Sequence, residues 1–470
     1  MKQMRLIAAT LFLATACLTR VSAQTLAPSQ QLARDLLKEL VEINTITATG
    51  DTAKAADAMA ARLRAAGFKG DDVQVFYPAL HKGNMVARLH GTGKRKPILL
   101  LAHLDVVDAK REDWKTDPFQ FIEKDGLFYG RGVFDDKAMA AIFVTNLIRY
   151  KQEGFRPDRD IVLVLETDEE NGDADAVGTQ WLIQNHRDLI DAELALNEDG
   201  YIYAKDGKPY INQLQPSEKV GVSYQLEVVN PGGTSAVPSR DNAIYHLADA
   251  LGRLSRFDFP LMLDETTRSY FAELGSLEQG QLAADMKAIE AGQPDPQAVV
   301  RLSAIPAYNA QLRTTCVATM LQGGQAENAL PQVARAKVNC RVWPGVPPDE
   351  VRTTLARVIA DEQVTVTQTK PAWQSPASPL NLEMMQAMKK LSAEFWPGVP
   401  LVPTLNPAAT SGKFLRRAGI PTYGQSGLVV DMSDNNGKHG RDEHLSAKAF
   451  FDGDEYLYRV VKTLSGGQTK

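Results

Sequence analysis

An imidazole and a carboxylate stand two residues apart at His103 and Asp105, directly behind the apolar run Pro97-Ile-Leu-Leu-Leu-Ala102. A buried strand ending this way puts both side chains on one face, at the carboxyl edge where α/β sheets build their sites. Four more segments of the same character follow. Gly130-Arg-Gly-Val-Phe-Asp135-Asp136-Lys137 is a glycine-punctuated turn that delivers two acids into the apolar, helix-like stretch Ala138 to Leu147. The strand-like Ile161-Val-Leu-Val-Leu165 runs into Glu166-Thr-Asp168-Glu169-Glu170. Ala192 to Leu196 ends in Asn197-Glu198-Asp199-Gly200, and His439-Gly-Arg-Asp442-Glu443 stands near the C-terminus. Any one of these alone reads as a solvated acidic turn. Together, so many carboxylates would repel one another, and a divalent cation resolves that repulsion. Two imidazoles and several carboxylates without a thiolate suit Zn²⁺, or less specifically Mn²⁺ or Co²⁺. Adjacent acids such as Glu169 and Glu170 divide into a metal ligand and a general base.

The elements that must carry these groups follow from the pattern between them. Strand-like apolar runs alternate with amphipathic helical stretches such as Ala27 to Val41 and Thr52 to Ala66, which gives an α/β sheet layered with helices. The 470 residues exceed one ordinary core and imply two domains. The metal-type motifs fall before about Gly200 and after about His439. A second domain is therefore expected as an insertion, residues 219–369, between two segments, 24–218 and 370–470, that close one catalytic domain. Phe257 to Ala310 has helical spacing and is expected to lengthen the inserted unit.

The motifs His103-Leu-Asp105-Val-Val, Gly130-Arg-Gly-x-x-Asp135-x-Lys137, Asp168-Glu169-Glu170, Asn197-Glu198-Asp199-Gly200 and His439-x-x-Asp442-Glu443 resemble those of a dinuclear zinc superfamily. Its members are aminoacylases, glutamate carboxypeptidases, succinyl-diaminopimelate desuccinylases and carnosine-type dipeptidases. Supporting stretches are Asn328-Ala-Leu-Pro331, Asn339-Cys-Arg341 and Asp241-Asn-Ala-Ile244. The resemblance implies a mixed sheet with helices on both faces, and an inserted α+β lid that mediates homodimers in the family. It implies two divalent metal ions bridged by Asp135, with His103 and Glu198 completing one site and Glu170 and His439 the other. Asp105 would orient His103, since a ligating imidazole needs its other N–H fixed, and Glu169 would be the general base. Arg341 would clamp a substrate carboxylate, with Asn328 and Thr410 as further substrate contacts. Asp136 is an alternative to Asp135, Asp199 to Glu198, and His444 to His439; the family spacing favours the first of each pair. His81, His90, His186 and His246 read as surface or structural histidines.

Two positions depart from the family pattern. A histidine that stabilises the oxyanion in the partner's site is replaced by Thr234 within Asn230-Pro-Gly-Gly-Thr-Ser-Ala-Val-Pro238, and Ala409-Thr-Ser-Gly412 stands where many relatives have Thr-Asp. The loss of one oxyanion donor typically costs ~10²–10³ in turnover. The expectation is nonetheless a metal-dependent hydrolase of amide bonds in small peptides or N-acyl amino acids with a free carboxylate. The rival readings are a weakly catalytic binding protein of the same fold and a hydrolase of esters or carbamates.

Residues 1–23 have the form of a secretory signal peptide: two basic residues up to Arg5, apolar residues from Leu6 to Leu18, and small residues at Val21-Ser-Ala23. The apolar stretch is shorter than the ~20 residues of a bilayer span, so an exported, periplasmic or secreted protein is expected. Ala14-Thr-Ala-Cys17 offers a competing lipid-anchor reading. A net charge of −5 gives no sign of nucleic-acid binding. Beyond Cys17 only Cys316 and Cys340 remain. They lie on two strand-like segments, Thr314 to Leu321 and Ala334 to Val342, flanking a Gly-Gly turn, which leaves both a disulfide and a pair of buried thiols open.

Overall fold

The computed structural model describes residues 26–171, 178–292, 294–372, 374–433 and 435–466. The leader and Cys17 lie outside them. No helix of the described residues is long and apolar enough to cross a membrane.

The fold is mixed α/β. At its centre three parallel strands, Ile161–Glu166, Ile98–His103 and Leu194–Asn197, lie side by side and are buried along their whole length. Strands covered on both faces read as continuous apolar runs rather than alternating ones, as Ile98-Leu-Leu-Leu-Ala102 does. Lys82–Leu89 and then Val73–Ala79 extend the sheet on one side in antiparallel pairing, and Thr422–Gly424 continues it on the other. The remaining strands of this ten-stranded sheet follow from Lys208–Glu218 through Ile202–Lys205 to Val429–Asp431, with Leu401–Asn406 paired to Lys208–Glu218.

Helices Pro28–Val41, Thr52–Ala65, Lys137–Gln152 and Ala447–Leu464 share one large apolar core with the central strands. Lys137–Gln152 is buried almost all round, from Lys137 to Ile148, as expected for a helix sandwiched between a sheet and further helices. The opposite face carries a smaller core, in which Leu99, Leu101, Val162 and Val164 meet Leu182, Leu415 and Ile420. The carboxyl ends of all three parallel strands therefore emerge between two layers.

Lys219 separates the strand Lys208–Glu218 from Val220–Val229, which lies in a second, four-stranded antiparallel sheet with Thr315–Gly323, Val333–Val342 and Val364–Gln368. Helices Ala243–Leu254 and Pro348–Ile359 cover one face of it, with Leu247, Ala250, Val351, Leu355 and Ile359 packed on Tyr224, Leu226, Ala336 and Val338. Strict alternation along Val333–Val342 leaves Arg335, Lys337, Asn339 and Arg341 on the other face. Cys316 and Cys340 are directly opposed across two of these strands and form a disulfide.

One expectation needs correction. The helices between Glu265 and Leu312 do not lengthen the unit around the small sheet. Tyr270, Phe271, Leu274, Met286, Ile289, Leu302 and Leu312 instead pack with Ile211 and Val402 of the large sheet. An amphipathic pattern shows that a face is buried, not which surface buries it.

Candidate active site

Three of the acidic or imidazole-bearing segments leave the carboxyl ends of the parallel strands, where the backbone register sets His103 beside Glu166. A fourth comes from the N-terminus of the helix Lys137–Gln152, where Asp136 is the residue flanking the first turn and the helix dipole favours negative charge. The fifth is the loop holding His439, whose backbone takes a positive φ of 58°.

These segments converge on Asp135. Its Oδ1 lies 3.4 Å from His103 Nε2, which in turn lies 2.9 Å from Glu198 Oε2. Its Oδ2 lies 2.9 Å from His439 Nε2, which is 3.0 Å from Glu170 Oε1. Two groups result, His103–Asp135–Glu198 and Asp135–Glu170–His439, each with ligand-type atoms within 4.8 Å of one another and sharing the aspartate. His103, Asp135 and Glu198 are buried, whereas the His439 side chain is half exposed.

The electrostatics of this cluster favour added positive charge. Burial pushes the Glu169 and Glu198 carboxyls well above the usual range. The Asp135 and Glu170 carboxylates lift His439 to about 10. Burial opposes protonation of His103, but Glu198 and Asp135 outweigh it and hold that imidazole well above its ordinary value. Glu170 Oε1 is buried, and the His439 ring 3.0 Å away is not aligned to give it a well-formed hydrogen bond. Such acceptors, in a set of two imidazoles and three carboxylates, fit a hard or borderline divalent cation.

The supporting shell divides its work differently from the sequence expectation. His103 Nδ1 faces the backbone carbonyl of Asp105 at 2.9 Å, while the Asp105 carboxylate stands 3.7 Å away. That carboxylate instead accepts the backbone N–H groups of Glu169 at 3.1 Å and Glu170 at 3.0 Å, and the Thr47 hydroxyl at 3.0 Å. Asp105 thus fixes the acidic turn, and its peptide carbonyl fixes the imidazole. Glu443 holds the Asp135 turn by accepting the N–H groups of Gly132, Phe134 and Asp135, and it pairs with buried Arg131 at 2.7 Å.

Of the alternatives, Asp136 lies within the cluster, accepting the His103 N–H at 3.4 Å. Asp199 is bound to Asn406 and Lys438, and His444 lines a different cavity. His81, His90 and His246 pair with Asp51, Asp72 and Asp361, and the His186 ring packs tilted against Phe76. None of the four joins the cluster.

Two lysines escaped the sequence reading. Lys438 Nζ reaches Asp135 Oδ2 at 3.3 Å and Asp199 at 3.0 Å, and Lys82 binds Asp168 and the Thr47 carbonyl beside the acidic turn. Lys438 lies next to His439, which was its one available signal. A lone lysine next to a histidine carries no spacing that distinguishes it from a solvated one.

A cavity of about 450 Å³ opens on Glu169 and Glu170 and is lined across from them by Ser223, Asn339 and Arg341 of the small sheet. Asn328 and Thr410 are not among its lining residues. Asn328 is exposed beside the two-residue ladder of Gly233–Thr234 with Ala329–Leu330, and Thr234 is exposed on that ladder. Thr410 is buried, donating to Glu218 at 2.8 Å and accepting from Asn197 at 2.8 Å.

A mixed sheet whose parallel strands gather imidazoles and carboxylates at one edge is the framework of a metallohydrolase. Residues 99–463 match peptidase family M20/M25/M40, and the chain belongs to that metallopeptidase family. The human N-fatty-acyl-amino acid synthase/hydrolase PM20D1 is 26% identical over 387 residues, 79% of this chain and 75% of that protein. A probable carboxypeptidase S-like protein of Dictyostelium discoideum is 27% identical over 376 residues, 78% of this chain and 71% of its own. Among solved structures, the M20 metallo-carboxypeptidase of Sulfolobus solfataricus superposes with a TM-score of 0.66 at 17% identity, covering 92% of this chain and 98% of that one. Human carnosine dipeptidase 1 gives 0.64 at 16%, covering 93% and 98%. These two share the fold.

Proposed function

We propose that this chain is an exported hydrolase of amide bonds that acts on small N-acyl amino acids or dipeptides through two divalent metal ions, zinc by preference and cobalt or manganese as substitutes. The observation that carries the reading is Asp135, whose two carboxylate oxygens face the imidazoles of two separate ligand-type groups. His103 and Glu198 would complete one metal site, and Glu170 and His439 the other. When bound, the ions supply the Lewis acidity that activates water at neutral pH and polarises a carbonyl.

The side chains of this protein do the rest. Glu169, a buried carboxyl beside the ligand Glu170 at the mouth of the cavity, is suited to take a proton from the attacking water and return it to the leaving amine. Asp105 holds the Glu169 and Glu170 amides and so sets the base against the ligand beside it. Arg341, across the cavity, presents a planar fork to the free carboxylate of the substrate. Curated relatives named for N-fatty-acyl-amino acid hydrolysis and carboxypeptidase activity support an amide carbonyl as the target.

Elemental analysis of protein purified with zinc, followed by a screen of N-acyl amino acids and dipeptides, tests the proposal. About two equivalents per chain, both lost in Asp135→Ala, are expected. Hydrolysis by protein that binds no metal would end it.

A further inference from the structure

The face of the small sheet turned toward the catalytic acids carries more positive charge than one carboxylate needs. Arg341, Asn339 and Lys337 alternate along Val333–Val342 and oppose Gly221, Ser223 and Gln225 on the neighbouring strand. Gly221 lies beneath the guanidinium, where a Cβ would make only ordinary contact with an Arg341 nitrogen at 3.4 Å. Asn339 is tied to Ser223 at 3.1 Å. From the other wall, Lys413 lies near enough for its charge to act on Glu169.

Lys337, Arg341, Lys370 and Lys413 thus line one cavity in which, among the described residues, Glu169 and Glu170 are the acids. Those two acids have partners of their own in the ligand cluster and its proton chemistry. Among the described residues no carboxylate pairs with Lys337, Arg341 or Lys413, although Arg335, next along the same face, pairs with Glu227. Among the described residues the lining includes no aromatic side chain and no leucine, isoleucine or methionine. A long acyl chain seated here would bring no counter-charge to Lys337, Arg341 and Lys413.

We infer that the preferred substrates are dianions: N-acyl amino acids or dipeptides with a second carboxylate, held by Lys337 and Lys413, besides the one held by Arg341. The inference rests on the amide-hydrolase reading above. Lys337 and Arg341 are four residues apart on a strand, about 13 Å between Cα atoms, a gap their long side chains narrow from both ends. The second carboxylate could sit on the amino acid or on the acyl group. Either chemistry satisfies the same cations.

Metal-loaded protein would be assayed on N-acetylglutamate against N-acetylglutamine, on N-succinylalanine against N-pentanoylalanine, and on N-dodecanoylalanine. The first pair tests an acidic amino acid and the second a dicarboxylic acyl group. At low salt at least one diacid should exceed its neutral counterpart about tenfold in kcat/KM, the size of one charge-assisted contact. The ratio should shrink as salt is raised. Lys337→Met should bring it toward one, mainly through KM, and Lys337→Arg should restore it. Equal rates within both pairs, or a preference for the dodecanoyl substrate, would overturn the inference while leaving an amide hydrolase in place. No hydrolysis of any of the five would remove both readings.

Discussion

Glu443 accepts the backbone N–H of Asp135 at 2.9 Å, although 308 residues of chain separate them. The same carboxylate takes the N–H groups of Gly132 and Phe134 and pairs with Arg131, which is itself buried against the Trp114 ring. The turn that aims Asp135 at both imidazoles is thus held from the C-terminal segment that also supplies His439. The ligand shared by both halves of the cluster is thus set by one buried ion pair.

Glu443→Ala should therefore damage stability and metal binding together. It leaves Arg131 buried without a counter-charge and three backbone donors unpaired, a loss of about 3–5 kcal/mol. Thermal melts with and without zinc would read the first effect, and elemental analysis the second. A companion change, Arg131→Met with Glu443→Leu, removes the stranded charge and should recover part of the stability. Full recovery is not expected, because the three N–H groups stay orphaned. A variant as stable and as metal-competent as wild type would show that this pair does not set the turn.

The strand ends were legible because fully buried parallel strands write themselves as apolar runs, and charged residues placed directly behind such runs have to gather at one edge. Ile98 to Asp105 and Ile161 to Glu170 are the plain cases. The division of labour behind the ligands was not legible. The Asp105 carboxylate reaches amides 64 and 65 residues away rather than the imidazole two residues away, and spacing along a strand gives a side chain's face, not its partner. Lys438 and Lys82 were missed for a related reason: their acids arrive from other elements. The helices from Glu265 to Leu312 were readable as helices, but their apolar faces could not name the sheet they cover.

Glu169→Gln should keep metal content near that of the wild type while kcat falls about 10²–10⁴-fold, since the amide preserves shape but accepts no proton. Glu170→Gln should lose metal as well as activity, because Glu170 Oε1 is the buried acceptor facing His439. The two variants, compared by elemental analysis and turnover, separate base from ligand. Metal loss in Glu169→Gln would exchange the two roles.

The disulfide ties an edge strand of the small sheet to the strand that carries Arg341. Cys316 and Cys340 enclose a loop of 24 residues' separation, and closing a loop of that length in the unfolded chain is worth about 3 kcal/mol. Cys316→Ser with Cys340→Ser should lower the melting temperature of the region without removing metal. Reduction of the wild-type protein should reproduce the shift. If neither treatment changes the melt, the strand pairing alone holds Thr315–Gly323 in place.

Arg341 and the substrate carboxylate provide the most direct check on orientation in the site. The guanidinium lines the cavity opposite Glu169 and Glu170, with Gly221 beneath it and no ion-pair partner among the described residues. An arginine kept for structure would be expected to hold a carboxylate or a set of carbonyls, as Arg131 and Arg416 do. Arg341→Ala should therefore raise KM for free-acid substrates by about tenfold or more, the loss of a bidentate charged contact. The C-terminal amides of the same compounds bring no carboxylate to the fork, so their already weaker binding should change far less. Arg341→Lys should recover only part of the difference, because an ammonium cannot offer two parallel donors to a carboxylate. An equal loss on acids and amides, accompanied by a lower melting temperature, would place Arg341 in the support of the sheet rather than in the recognition of substrate.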